Sequence, residues 1–272
     1  MITFTKLGHH GQLGNQLFQY AMMIGVSEKK GYKICIPYRF TKAKKRGQVE
    51  LKPFRITADP VAPRIANRFK PTYVEKGFNF DPGVFEQSNG TNYEGYYQTE
   101  KYFEHCSDRV RSEYRMQTVF EEFGAEYIRA VRKTDTVVAV HVRRGDYLIQ
   151  PKLFQILTPE YYKRAMTHPE LPLEKQFLVF SDDIEWCRHN LIGLTKEHID
   201  FAESPSHWHD LATMTYCDAH IISASSFSWW GAWLCHNRPN TVIAPVPWFP
   251  PGRRDDWDTS DVIPERWYKL QV

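Results

Sequence analysis

The densest concentration of reactive side chains is His141-Val142-Arg143-Arg144-Gly145-Asp146-Tyr147, where two adjacent guanidinium groups precede a glycine and a carboxylate. It closes the apolar run Thr136–Val142, which reads as a buried strand. Charge at a buried strand end is costly unless it meets a partner of opposite sign. Neighbours on an extended chain point opposite ways, so one arginine is expected to reach a ligand and the other to be held by carboxylates or carbonyls. Arg143 is the one expected at the ligand. Its planar, bidentate donors suit phosphate oxygens and would neutralise charge developing on a departing diphosphate. The plainer alternative is a structural ion pair between Arg144 and Asp146.

Two further segments also sit at strand ends. Ser181-Asp182-Asp183 follows the apolar run Phe177–Phe180 and precedes a helix. Adjacent carboxylates there could hold a metal, could cap the helix, or could accept hydrogen bonds from ribose or from a guanine N–H. With no histidine or further carboxylate nearby in sequence, nucleotide recognition is the preferred reading. After the run His220–Ser223 comes Ala224-Ser225-Ser226-Phe227-Ser228-Trp229-Trp230-Gly231-Ala232-Trp233-Leu234, small hydroxyl residues leading into an aromatic helix. Hydroxyls and free N–H groups at a helix start suit an anion. Trp229, Trp230 and Trp233, lying inside the helix, are expected to serve packing rather than sugar stacking. Near the N-terminus, Gly11-Gln12-Leu13-Gly14-Asn15-Gln16 supplies a similar glycine turn without the Gly-x-Gly-x-x-Gly spacing of a dinucleotide fold.

The elements that must position these groups follow from periodicity. Ile2–Leu7 reads as a strand, the stretch carrying Leu17, Tyr20, Ala21 and Ile24 as a helix stopped by Gly31, and Tyr32–Ile36 as a second strand, a βαβ opening. From Thr136 onward, apolar runs at 136–142, 177–180, 198–202, 220–223 and 241–244 alternate with helices. Thr158-Pro159 and Ser204-Pro205 are expected to start two of these, and 186–191 and 227–236 to form others. Strand and helix in alternation imply a parallel, doubly wound sheet, with ligands beyond the C-terminal ends of the strands. Residues 38–130 carry little pattern beyond a helix expected around Tyr102–Val110 and a basic stretch (Lys42, Lys44, Lys45, Arg46) read as a solvated loop.

Composition narrows the classes. The 272 residues suit one large α/β domain or two smaller ones. Lys and Arg number 35 against 32 acidic residues, so the formal charge of +3 argues against a nucleic-acid binder. Aromatic residues at 15% fit a large aromatic core or a sugar site equally. The five cysteines form no Cys-x-x-Cys pair and no metal-ligand grouping, which points to buried free thiols in a reducing compartment. With no leader and no apolar stretch of some 18 residues, a cytoplasmic protein is expected; peripheral attachment to the inner face of a membrane is compatible with this.

Taken together, the Gly11–Ala21, His141–Tyr147, Phe180–Asp183 and Ser225–Leu234 segments resemble the α-1,2-fucosyltransferase family of bacterial type. They occur in order and span nearly the whole chain, with residues 38–92 weakly covered. The resemblance implies a GT-B-like α/β fold of two Rossmann-like domains with the donor cleft between them. These would be an acceptor-side domain over 1–130 and a GDP-fucose-binding domain over 131–272. It further implies inverting transfer of L-fucose from GDP-β-L-fucose to the 2-hydroxyl of a terminal galactose, on an oligosaccharide or a lipid-linked glycan, with no metal required.

By motif position, Arg143 would bind the β-phosphate, Arg144 would support the loop and His141 would lie near the nucleotide. Asp182 or Asp183 would recognise guanine or ribose, and Ser225, Ser226, Phe227 and Ser228 would line the phosphate and ribose. Gly14 and Asn15 would face the donor from the other domain. Asp146 is the expected general base, presented by the Arg-Gly turn. Where relatives often show Gly-Gly-Leu-Gly-Asn, this chain has Gly8-His9-His10-Gly11-Gln12, which leaves roles for His9 and His10 open. The familiar mammalian relatives carry a membrane anchor and stem, so a free-standing enzyme is expected here. Two alternatives remain. The arginine motif is also similar to that of α-1,6- and protein O-fucosyltransferases, although Ser-Phe-Ser-Trp-Trp favours α-1,2. A non-catalytic nucleotide- or glycan-binding protein could share the fold.

Overall fold

The opening strand, helix and strand form as the pattern predicts, although the first strand is only β1 (Ile2–Thr3). Helix α1 (Leu13–Lys30) closes at Gly31, whose left-handed backbone (φ 68°) donates its N–H to Ser27 O. Between Leu13 and Ser27 every residue of this helix is buried except Asn15. A helix apolar nearly all round belongs inside a sheet-bearing unit rather than on its surface. Strand β2 (Ile34–Pro37) follows. The structure, a computed structural model, describes residues 1–37, 48–62, 65, 68–252 and 257–272. The basic stretch Lys42–Arg46 lies outside them.

Two compact units result: Met1–Gln117 with Asp256–Pro264, and Thr118–Asp255 with Glu265–Val272. In the first, β3 (Asp59–Val61), β4 (Thr72–Val74) and β5 (Asn92–Glu94) join β1 and β2 in a parallel sheet of order β3-β2-β1-β5-β4. The helix expected around Tyr102–Val110 is instead two short 3₁₀ turns followed by α2 (Ser107–Glu113).

The second unit begins with α3 (Thr118–Val131) and continues through β6 (Val137–Val142), β7 (Gln176–Ser181), β8 (Ile199–Phe201), β9 (Ala219–Ile221), β10 (Thr241–Val246) and β11 (Tyr268–Gln271). These strands form a parallel sheet of order β11-β10-β9-β6-β7-β8. Alternate residues of β6 bury on opposite faces, as a pleated strand covered on both sides requires. Val138, Val140 and Val142 pack with Tyr161, Tyr162, Cys187 and Leu191, while Val137 and Ala139 pack with Ile128 and Met214.

Two expected boundaries move. The division falls after Gln117, not after residue 130, because α3 belongs to the second sheet. Tyr216 Oη donates to Glu121 at 3.0 Å, Ile128 enters the core beneath β6, and Gly124 lies so close to Ala212 that a Cβ would meet its carbonyl carbon at 2.9 Å. Nor is 131–272 one continuous domain. Asp261 accepts from the Phe80 N–H at 2.9 Å and from Lys101 at 2.5 Å, and Trp257 packs on Phe78, so this segment returns to the first unit.

Thr158 caps α5 (Pro159–Met166) as expected, accepting from the Tyr161 N–H. Ser204-Pro205 does not start the next helix. That helix, α7, is His207–Thr215, and the Ser206 hydroxyl in its cap position bonds His209 Nδ1 instead of the backbone. All five cysteines are buried free thiols. Among the described residues no helix is long and apolar enough to cross a membrane.

Candidate functional site

In a parallel sheet all strands end on one edge, and the crevice opens where successive connections leave in opposite directions. In the second unit this switch falls between β6 and β9: the chain moves outward through β7 and β8, then returns to β9 and leaves the other way. The expected site residues cluster there. His141 Nδ1 and Ser223 Oγ, 2.7 Å apart, bridge the two strand ends. Burial, then the Arg143 charge, pushes the His141 imidazole down to about 3, so it is neutral at physiological pH. Strand β9 ends two residues earlier than the sequence suggested, which leaves Ser223 in the turn and able to meet the histidine.

β6 and β7 pair up to Val142 and Ser181, so the next residues, Arg143 and Asp182, emerge side by side. Arg143 Nη1 lies 3.2 Å from Asp182 Oδ2, and its Nη2 lies 2.8 Å from Asp146 Oδ1. Arg144 departs on the other side, as alternation requires: its Nε contacts Asp183 Oδ2 at 3.1 Å and its guanidinium covers the Trp186 ring at 3.9 Å. The alternative Arg144–Asp146 pair does not form; Arg143 takes Asp146. Asp146 opens the short helix α4 (Gly145–Ile149), which places its carboxylate beside Arg143. Of the two carboxylates on Arg143, Asp146 is the more exposed, its side chain 47% accessible against 25% for Asp182.

Asp182 also accepts the Arg144 N–H at 2.9 Å, and a Cβ on Gly145 would fall 2.6 Å from its Oδ2. Glycine is therefore what lets the turn after β6 close onto β7. Asp183 caps α6 (Ile184–Leu191) by accepting the Trp186 N–H at 3.2 Å. Both carboxylates thus have internal partners, and the expected recognition of guanine or ribose would come in addition to these contacts. Among the described residues no group of three or more His, Cys, Asp or Glu side chains comes together as a metal site would require.

The serine segment behaves unevenly. Ser225 caps α8 (Ser226–Trp233), accepting the Phe227 N–H at 3.3 Å. Ser228 is fully buried and bonds Ser225 O at 3.2 Å, so it is a packing residue rather than the ligand contact expected of it. Ser226 and Phe227 are only partly buried, and the Phe227 ring lies 5.5 Å from His141. Trp229, Trp230 and Trp233 are buried, with Trp229 against Trp233 and Trp267. One contributor escaped the sequence reading. Tyr147 donates to Ala224 O at 3.0 Å and thereby ties α4 to the serine turn. Away from these strand ends, Asp210 in the first turn of α7 is lifted to about 6 by burial.

In the first unit the switch falls between β1 and β5. Gly14 is buried inside α1, whereas Asn15 reaches the edge, its Oδ1 accepting from Gln98 Nε2 at 2.7 Å. Gln98 follows the turn Gly95-Tyr96-Tyr97, in which Tyr97 adopts φ 54°, a left-handed conformation costing a tyrosine about 1–3 kcal/mol. The two oxygens of Glu75 hold that turn by accepting the Tyr96 and Tyr97 N–H groups at 2.6 and 2.7 Å, and burial lifts this carboxyl to about 7. Of the two histidines of uncertain role, His10 stands 3.5 Å from Glu94, with its ring edge-on to Tyr96 at 6.0 Å.

The chain is similar in sequence to proteins of known activity. α-1,2-Colitosyltransferase of Escherichia coli is 29% identical, covering 96% of this chain and 97% of its own. Galactoside α-(1,2)-fucosyltransferase 1 of Saimiri boliviensis boliviensis is 29% identical over 82% of this chain, which spans 63% of that longer protein. Among solved structures, the α-1,6-fucosyltransferase NodZ soaked with GDP-fucose aligns with TM-score 0.53 at 13% identity, over 86% of this chain and 92% of that one. POFUT1 in complex with GDP aligns with TM-score 0.52 at 12% identity, over 89% and 97%. The two parallel-sheet units share the GT-B-like architecture of these structures. The profile of glycosyl transferase family 11 matches residues 3–255, and the chain belongs to that family of α-1,2-linking transferases.

Proposed function

We propose that the protein transfers L-fucose from GDP-β-L-fucose to the 2-hydroxyl of a terminal galactose, inverting the anomeric centre. The observation carrying this reading is Arg143 at the β6/β9 switch, held at its guanidinium by one half-buried carboxylate and one exposed one. An arriving diphosphate competes with the exposed partner, Asp146, for the same N–H donors. Donor binding thus moves Asp146 off the arginine and leaves it available as a base. The acceptor O2 then attacks the anomeric carbon, the bond from that carbon to the β-phosphate oxygen breaks, GDP leaves with the electron pair, and Asp146 takes the hydroxyl proton. Negative charge developing on the leaving group is countered by Arg143 and the N-terminal turn of α8, so this reading requires no metal.

The colitosyltransferase relative favours a second donor. Colitose is fucose without its 3-hydroxyl, so GDP-colitose would present the same diphosphate and the same anomeric chemistry. Incubation with GDP-fucose or GDP-colitose and a panel of galactosides, followed by NMR of the product linkage, tests both. A new α-1,2 linkage is expected. If neither donor releases GDP with any galactoside, the protein is a binding module and this function is wrong.

A further inference from the structure

Beyond Asp146 the chain runs Tyr147-Leu148-Ile149-Gln150-Pro151-Lys152-Leu153-Phe154, and every residue from Leu148 to Leu153 is exposed. Leu148 is 46% accessible, Ile149 79% and Leu153 39%, three aliphatic side chains within six residues. The other exposed large hydrophobics among the described residues stand singly along the chain, as they do on ordinary protein surfaces. This loop is fastened at its base. The Tyr147 and Phe154 rings, at its two ends, stack at 4.3 Å with their planes 13° apart, and Tyr147 Oη donates to Ala224 O at 3.0 Å. Within it, the Leu153 and Phe154 N–H groups both donate to Gln150 O, at 2.9 and 3.2 Å. The second unit thus holds the aliphatic tip outward instead of letting it fold back.

We propose that residues 148–153 form a membrane-docking loop, whose aliphatic side chains enter the headgroup region of a bilayer that contains anionic lipid. Two observations choose this occupant. Lys152, exposed, is the only charged side chain between Asp146 and Glu160, and a cation set among aliphatic groups matches an anionic headgroup layer. Three side chains on one short loop also fall far short of the roughly 800 Å² per partner that a stable protein interface buries. Shallow insertion, to a depth of about 5–10 Å, asks only for an apolar tip. Asp146 lies two residues before Leu148, so docking holds the Arg143 edge of the sheet at the lipid surface. Resting on the function proposed above, this makes the acceptor a glycan carried on a lipid.

The test mixes the full chain with vesicles of phosphatidylethanolamine and phosphatidylglycerol, or of phosphatidylcholine alone, and reads the bound fraction by flotation. The parent is expected to float with the anionic vesicles and much less with the neutral ones. Leu148→Ser combined with Ile149→Ser should lower the partition coefficient about 10-fold or more, with Tm close to the parent's because both side chains are exposed. Lys152→Gln should weaken binding about 5-fold on the anionic vesicles and leave the neutral ones unaffected. Ile149→Trp should strengthen it, since indole favours the interface. A parent that stays off the anionic vesicles, or a serine pair that floats as well as the parent, overturns the proposal. So does a lipid-free dimer, seen by light scattering, that the serine pair abolishes, because the loop would then seat a second copy. None of these measurements uses a donor, so they stand whatever becomes of the proposed reaction. For the acceptor, a galactoside on a lipid tail is embedded in the anionic vesicles. The serine pair is expected to lose about 10-fold in kcat/KM on it and nothing on the free galactoside. Equal effects on the two acceptors overturn the lipid-linked assignment. A parent that releases no GDP removes the reaction and leaves the docking result in place.

Discussion

The two switch points solve one problem with different chemistry. Beyond β6 the second unit gathers charge and lets it neutralise itself, with Arg143 between Asp146 and Asp182 and Arg144 against Asp183 and Trp186. Beyond β1 the first unit gathers neutral amides, Asn15, Gln19 and Gln98, braced by one buried carboxyl. Charge gives strength to an interaction but little direction, whereas amides give direction with little strength. The second unit's charged group is thus the one suited to an anion, and the first unit's amides are suited to a neutral polar partner.

The largest expected effect falls on the charged side. Arg143→Ala should lower turnover by about 10²–10³, read as GDP release, and near-normal turnover would erase the contrast between the units. Asp146→Asn follows, with a loss of about 10² in kcat. GDP affinity, measured by calorimetry, should hold or rise, since Asp146 competes with the ligand instead of holding it. An unchanged kcat removes Asp146 as the base.

Acid should separate the units next. His141 and His220 are buried and titrate near 3 and 4 when folded, whereas an unfolded histidine titrates at about 6.5. As pH falls below about 6.5 the unfolded chain binds protons these side chains cannot, so each costs up to about 1.4 kcal/mol per pH unit until its folded value is reached. Asp210, raised to about 6, works the opposite way below that pH and offsets part of the loss in the same unit. In the first unit Glu75, raised to about 7, takes up its proton when folded and gains stability as pH falls toward 4.5, against smaller losses from the partly buried His10 and His105. Amide exchange between pH 6.5 and 4 should therefore show β6 and β9 losing protection faster than β1 and β2; equal loss would contradict the assignment of neutral buried histidines. At the small end, Arg188→Ala removes an exposed pair with Glu203 and should shift stability by less than about 0.5 kcal/mol in urea melts. A larger shift would mean that surface charge, too, matters to the second unit.

The same contrast explains what could be read from the sequence. β6 has six consecutive buried residues, so its end, and the arginines that follow, could be located from hydrophobicity alone. Alternation along an extended chain then separated Arg143 from Arg144. Pairing partners were harder to foresee, because a register of strands decides them, and Asp182 rather than a sequence neighbour came to lie against Arg143. In the first unit β1 has two residues and β3, β4 and β5 three each, too few for a period to show. Asn15 meets Gln98 across 83 residues, a contact that no local spacing encodes.

The path of the last residues has a consequence for biosynthesis. Asp261 anchors a segment in the first unit, and β11, made afterwards, completes the edge of the second unit's sheet. Neither half is a contiguous stretch of chain, so the first cannot reach its final form until the ribosome has passed residue 264, nor the second until it has passed β11. Splitting the gene after residue 117 would leave the N-terminal fragment without the segment Asp256–Pro264, which is encoded at the far end.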